Sequence, residues 1–171
     1  MDPFGPLVQA LHDRSVRFVL IGVAGANYYA PTGSVVFATV DRDIFVPPDP
    51  DNLLRCWAAC QAAGLELWSE GEPLDVPRDL WLAERVVERQ ALTRASGAGL
   101  VVDVTLVMSA FDFETVWKER RLFKLGDIDI PVARLLHIVE SKVATGRDKD
   151  RLFLAAHREA LEELLKREEQ T

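Results

Sequence analysis

The 171-residue sequence is poor in the residues that most often mark a metal centre or a disulfide framework. It has two cysteines, Cys56 and Cys60, four positions apart in a helical stretch. That spacing puts both thiols on one helix face, where free cysteine serves as small apolar filler. A zinc site needs further ligands at suitable spacing, and the chain offers none. The three histidines, His12, His137 and His157, fall in separate helical stretches, which suits packing or surface positions better than a ligand set. No apolar run approaches the ~20 residues of a membrane-spanning helix. The N-terminus, Met-Asp-Pro-Phe-Gly-Pro, has neither a basic region nor an apolar signal segment, so a cytoplasmic protein with no membrane association is expected. Internal repeats and low-complexity tracts are also lacking.

Positive charge is in deficit, with 20 Lys and Arg against 27 Asp and Glu and a net charge of -7. That balance argues against a general polyanion binder. The deficit is uneven. Residues 118–151 hold nine basic side chains, at 118, 120, 121, 124, 134, 142, 147, 149 and 151, against six acidic ones. Such a segment is either a solvated helix face or the place where a phosphate-bearing substrate docks.

Apolar side chains are plentiful at 49 %, enough to bury the core of one domain, or of one domain with a helical extension. The pattern is clearest over residues 18–46. A short apolar run, Phe18-Val19-Leu20-Ile21, ends in Gly22 and reads as a buried strand. Small residues then open a helix over 23–29, a Pro/Gly turn covers 31–34, and a second strand runs over 39–46. Asp41 and Asp43 lie in that second strand. Side chains two apart share a face, so the two carboxylates point one way and Arg42 the other. Two like charges ~7 Å apart on a half-buried strand are costly without a cation between them, and hard divalent ions prefer oxygen ligands. Arg42, on the opposite face, is expected to reach an acidic partner, Glu66 or Glu70, or to emerge at a sheet edge.

Helical periodicity marks 3–14, 51–63 (closed by Gly64), 79–88, 114–121, 133–145 (closed by Gly146) and a last helix from about 148 to 167. Strand patterns cover 65–68, an edge strand at 91–94, and a hairpin of 122–124 with 127–130 turning at Gly126. The strongest strand is 100–107, where Asp103 is the one charge among β-branched residues. An unpaired carboxylate in a central strand is expensive, so Asp103 either meets solvent or belongs to a site. The tryptophans at 57, 68, 81 and 117 fit core or subunit contacts. If the strands carrying Asp41, Asp43 and Asp103 are neighbours, the carboxylates converge on one or two divalent ions. The alternative from spacing alone puts Asp41 and Asp43 on an exposed strand face and Asp103 at an unrelated turn.

Two segments carry a resemblance. Gly22 after an apolar strand, a helix, and then Thr39-Val40-Asp41-Arg42-Asp43-Ile44 resembles the signature of the nucleotidyltransferase (polymerase β-like) superfamily. Ser141-Lys142-Val143-Ala144-Thr145-Gly146-Arg147-Asp148-Lys149-Asp150 resembles the C-terminal motif of its small bacterial members, which include the toxin halves of toxin–antitoxin and abortive-infection pairs. The resemblance spans about residues 16–155. It implies an α/β (α+β) fold: a small mixed sheet carrying the three aspartates, packed helices, a catalytic core over 1–132 and a C-terminal helical pair within 133–171. It implies Mg²⁺ or Mn²⁺ held by Asp41, Asp43 and Asp103, with Asp103 helping to deprotonate the acceptor. It places Gly22, Val23, Thr39, Lys142, Arg147 and Lys149 around an NTP. The implied reaction moves a nucleoside monophosphate to a hydroxyl or phosphate of RNA, tRNA, a protein or a small molecule, and an antitoxin protein is an implied partner. Asp150 is expected to anchor Lys149 or to cap the last helix. The chain departs from the family at Val23, where a second small residue is usual, at Phe37, where relatives often have Arg, and at Arg42, usually apolar. These departures motivate an alternative reading: a non-catalytic binding or interaction module on the same fold.

Overall fold

The computed structural model describes residues 2–31, Phe37 and 41–170. Thr39 and the turn residues 32–34 lie outside the described residues. Among the described residues the chain forms eight α-helices and one eight-stranded mixed sheet. In chain order these are α1 (Phe4–Asp13), β1 (Val19–Ile21), α2 (Gly22–Ala26), β2 (Arg42–Phe45), α3 (Pro50–Ala62), β3 (Glu66–Ser69), β4 (Glu72–Pro73), α4 (Leu80–Arg89), β5 (Thr93–Gly97), β6 (Leu100–Thr105), α5 (Phe113–Lys118), β7 (Arg121–Leu125), β8 (Ile128–Val132), α6 (Leu135–Thr145), α7 (Asp148–Ala156) and α8 (Arg158–Glu169). The strand order is β4-β3-β5-β6-β2-β1-β8-β7. β2 runs parallel to β6 and β1 parallel to β8, and the other pairs are antiparallel.

Strand alternation sorts the core into two layers. Leu20, Ile44, Val102 and Val104 point to the side of α1, α3 and α4, where they meet Phe4, Leu7, Leu53 and Trp57. Val19, Ile21 and Phe45 point the other way and pack with Phe113, Val116, Leu135, Ile138 and Leu161. Three helices, α3, α4 and α5, start where the sequence provides a side-chain acceptor for their first N–H groups. Asp49 accepts from Asp51 N at 3.1 Å, Asp79 from Leu82 N at 3.0 Å, and Asp112 from Thr115 N at 2.8 Å. Cys56 and Cys60 are buried and free, and Trp57 lies in the core while Trp81 is exposed. No helix among the described residues is long and apolar enough to cross a membrane.

Several elements differ from the sequence expectation. The sheet is not small, because the 121–132 hairpin joins it through Leu20↔Val132. β5 is an interior strand between β3 and β6, and the edge belongs to β4, which forms a hairpin with β3. The last helix breaks at His157 (φ -115°, ψ 18°), so three helices, not a pair, follow the sheet. The break seats the imidazole edge-on to Phe37, with centroids 4.8 Å apart, and against Phe153 at 4.9 Å. Glu168 of α8 folds back onto the start of α6, accepting from Leu135 N at 2.8 Å and Leu136 N at 3.1 Å. It thereby satisfies N–H groups that no residue of α6 itself can reach.

Candidate active site: carboxylates on the central strands

Parallel pairing of β2 with β6 puts Asp43 directly opposite Asp103. Ile44 and Val102 belong to one layer of the core and Phe45 to the other, so Asp43 and Asp103 share the face covered by α6. Arg42 takes the opposite face, as the alternation requires. Its acidic partner is Asp2 at 2.9 Å, and its guanidinium lies over the Phe4 ring. Neither Glu66 nor Glu70 can serve, because β5 and β6 separate β3 from β2. Asp41 lies just before β2 and not within it.

Gly22 ends β1 at a φ of +70°, a left-handed conformation that favours glycine. A methyl group there would sit 2.9 Å from Asp43 Oδ2. The absent side chain is therefore what lets the Asp43 carboxylate lie against the backbone at the strand end. Burial raises the Asp43 pKa, the Asp103 and Asp41 charges add to the rise, and Lys142 and Lys149 oppose it.

Across the site, α6 and α7 bring Lys142, Arg147, Lys149 and Asp150 together. Gly146 makes this possible: its φ of +65° ends α6 and turns the chain into α7. Asp150 is buried, and it anchors Lys142 (3.2 Å) and Arg147 (2.8 Å), not Lys149. Burial pushes its carboxyl up, but the hydrogen bonds from Arg147 and Lys142 outweigh this and hold it below the usual range. Lys142 also lies 4.9 Å from the Phe153 ring. Two adjoining cavities of about 350 and 400 Å³ share Asp43, Asp103, Lys142, Arg147, Lys149 and Asp150; Gly22 lines the first, and Val23, Asp41 and Phe153 line the second. The structure thus gathers every site residue expected from the sequence except Thr39, which lies outside the described residues.

The structure adds one residue to those expected from the sequence. Arg94 of β5 pairs in register with Asp103. Its guanidinium forms a two-pronged bond to both carboxylate oxygens, at 2.8 and 3.1 Å, and reaches to 3.9 Å from Asp41 Oδ2. This is the counter-charge that a carboxylate in a central strand requires. A signal existed. The Gly97-Ala98-Gly99 turn fixes a hairpin with Gly97 opposite Leu100, and counting back three pairs brings Arg94 opposite Asp103.

The donors suit a hard cation: carboxylate oxygens on adjacent strands, two of them in register, with amines a short way off. Among the described residues, no three His, Cys, Asp or Glu side chains stand in an arrangement that could hold a metal ion. The donor set is hard-cation chemistry, while in the structure a guanidinium supplies the positive charge at Asp103. No family model matches the chain, and no curated protein matches it in sequence.

Proposed function

We propose that the protein is a metal-dependent nucleotidyltransferase, moving a nucleoside monophosphate from an NTP to an acceptor hydroxyl or phosphate. The observation that carries this reading is the placement of Asp43 against Asp103 on parallel neighbours, with Gly22 under Asp43 and Lys142 and Lys149 facing them. Asp41, Asp43 and Asp103 would hold Mg²⁺ or Mn²⁺, and the bound ion would supply charge neutralisation for the triphosphate and activation of the attacking oxygen. Lys149 and Lys142 would meet the phosphates, Lys142 by turning from Asp150. The acceptor oxygen forms a bond to the α-phosphorus as the bond from that phosphorus to the β-bridging oxygen breaks, and pyrophosphate leaves with the electron pair. The acceptor's proton passes to Asp103, which adjoins, through Arg94 and Leu92, a larger cavity of about 990 Å³ between β3–β4 and α4. That cavity is where an RNA end, a protein side chain or a small-molecule hydroxyl would enter. The reading places the protein in the cytoplasm, where NTP is abundant, and the resemblance of its motifs to toxin nucleotidyltransferases makes an antitoxin protein a candidate partner.

The test is transfer of α-labelled NTP in Mg²⁺ to cell RNA, to protein and to small hydroxylated acceptors. Transfer that disappears in Asp43→Asn is expected; no transfer from any NTP, together with no nucleotide binding by calorimetry, overturns the reading. A second reading has its own observation. Asp103 is matched by Arg94, and Asp150 by Lys142 and Arg147, so much of the site's charge is internally satisfied. A binding module on the same fold would show nucleotide affinity with no turnover in that experiment.

A further inference from the structure

We infer that Arg94 is a displaceable counter-ion: its guanidinium takes the place of a cation at Asp103, and a divalent ion gains that carboxylate only when Arg94 leaves it. The inference rests on the divalent-ion reading above. Three observations carry it. The two-pronged bond engages both Asp103 oxygens, so an ion drawn to that carboxylate must compete with the guanidinium for it. The same guanidinium stands 3.9 Å from Asp41, so it lies among the carboxylates and not beside them. The Arg94 side chain is 50 % exposed while that of Asp103 is 13 % exposed, so the arginine can depart without opening the core and the aspartate cannot. It also has somewhere to go. Arg94 lines both the carboxylate cavity and the larger cavity between β3–β4 and α4. A swing outward leaves its charge where an acceptor would enter.

A purely structural arginine and a displaceable one make opposite forecasts. If Arg94 only held Asp103 in position for an ion, removing it would weaken ion binding. If it competes with the ion, removing it strengthens binding, because one cation no longer repels or blocks another. The probe is Mn²⁺, titrated into the full chain and followed by the paramagnetic resonance of the free ion. Arg94→Gln is expected to bind Mn²⁺ roughly tenfold more tightly than the wild type, the size of an ordinary coupling between two ligands. In EDTA it should melt lower than the wild type, and Mn²⁺ should restore more of its stability. Arg94→Lys keeps the charge but loses the fork, and should bind Mn²⁺ with intermediate affinity. It keeps the question open to decision if the Gln variant fails to fold. Affinity in both variants equal to or weaker than wild type, with wild-type binding abolished by Asp43→Asn, overturns the role of Arg94 and leaves the ion reading standing. Absence of Mn²⁺ binding in the wild type and in both Arg94 variants overturns both.

Discussion

Two aspartates that serve one cleft pull stability in opposite directions. Asp43 has a folded-state pKa raised by burial and by the charges of Asp103 and Asp41. The folded protein therefore binds that proton more tightly than the unfolded chain does. The contribution is fully present below the ordinary carboxylate value of about 3.9 and is lost as pH rises through the raised one. Asp43→Asn should accordingly be more stable than wild type in urea unfolding at pH 7, with the advantage gone at pH 3. Unchanged or lower stability at pH 7 would show that the local lysines already compensate the charge. Asp150 has the opposite sign: its pKa is depressed, so its stabilisation is present above the ordinary value and disappears as pH falls through the depressed one. Asp150→Asn should cost about 2–3 kcal/mol at pH 7, less than a fully buried network would, because Arg147 is solvent-exposed and its share is screened. Gly22→Ala combines two penalties, a left-handed φ and a methyl pressed on Asp43 Oδ2 at 2.9 Å. The strain alone is worth about 1–2 kcal/mol. The melting temperature should fall, and Mn²⁺ affinity should fall with it as the carboxylate is pushed away; a variant that melts normally would mean that β1 ends differently in solution.

Among the elements, α6 is the one that organises the far wall of the site, and its N-terminus is held from a distance. Glu168, 33 residues later, caps it through Leu135 N and Leu136 N. Arg134, which reaches Glu119 at 2.9 Å and Glu168 at 3.4 Å, completes the cluster. Glu168→Ala leaves buried N–H groups without their carboxylate and should cost roughly 2–3 kcal/mol. Amide hydrogen exchange should locate the loss at the first turn of α6 and in α8, with β2 and β6 unaffected. Faster exchange spread evenly over the sheet would mean that α8 is part of one cooperative unit with it. The break at His157 shows why the last helix reads as continuous in sequence. The apolar period runs across 148–167, but the contact of His157 with Phe37 acts over a chain separation that periodicity does not sense.

At the scale of the molecule, the basic excess over 118–151 does not form a free stripe. Lys124 pairs with Asp129, Arg134 with Glu119 and Glu168, and Lys142 and Arg147 with Asp150, while Arg120 lies on the Trp117 ring. Charge that is already spent on internal partners releases few counter-ions when RNA binds. RNA affinity should then fall by less than about fiftyfold between about 50 and 200 mM salt, as for four or fewer phosphate contacts to a single strand. A steeper slope in a binding titration would show that these pairs open for the ligand.

What could be read along the chain was whatever depends on near neighbours. Alternation on β2 set Asp43 and Arg42 on opposite faces, Gly22 marked the strand end, Gly146 marked the end of α6, and the Asp103 charge inside an apolar strand signalled an obligation to a partner. Those inferences need only the periods of strand and helix and the conformational freedom of glycine. Arg94 as the partner of Asp103 was within reach of a hairpin count from the 97–99 turn, but the identity of the other partners needed the fold. Arg42 meets Asp2 because α1 covers that face of the sheet, and Lys142 meets Asp150 because α7 folds back beside α6. Each of these contacts joins segments whose separation is set by strand order and helix packing. Burial makes a buried charge demand a counter-charge, and the chain's path through space selects which residue supplies it.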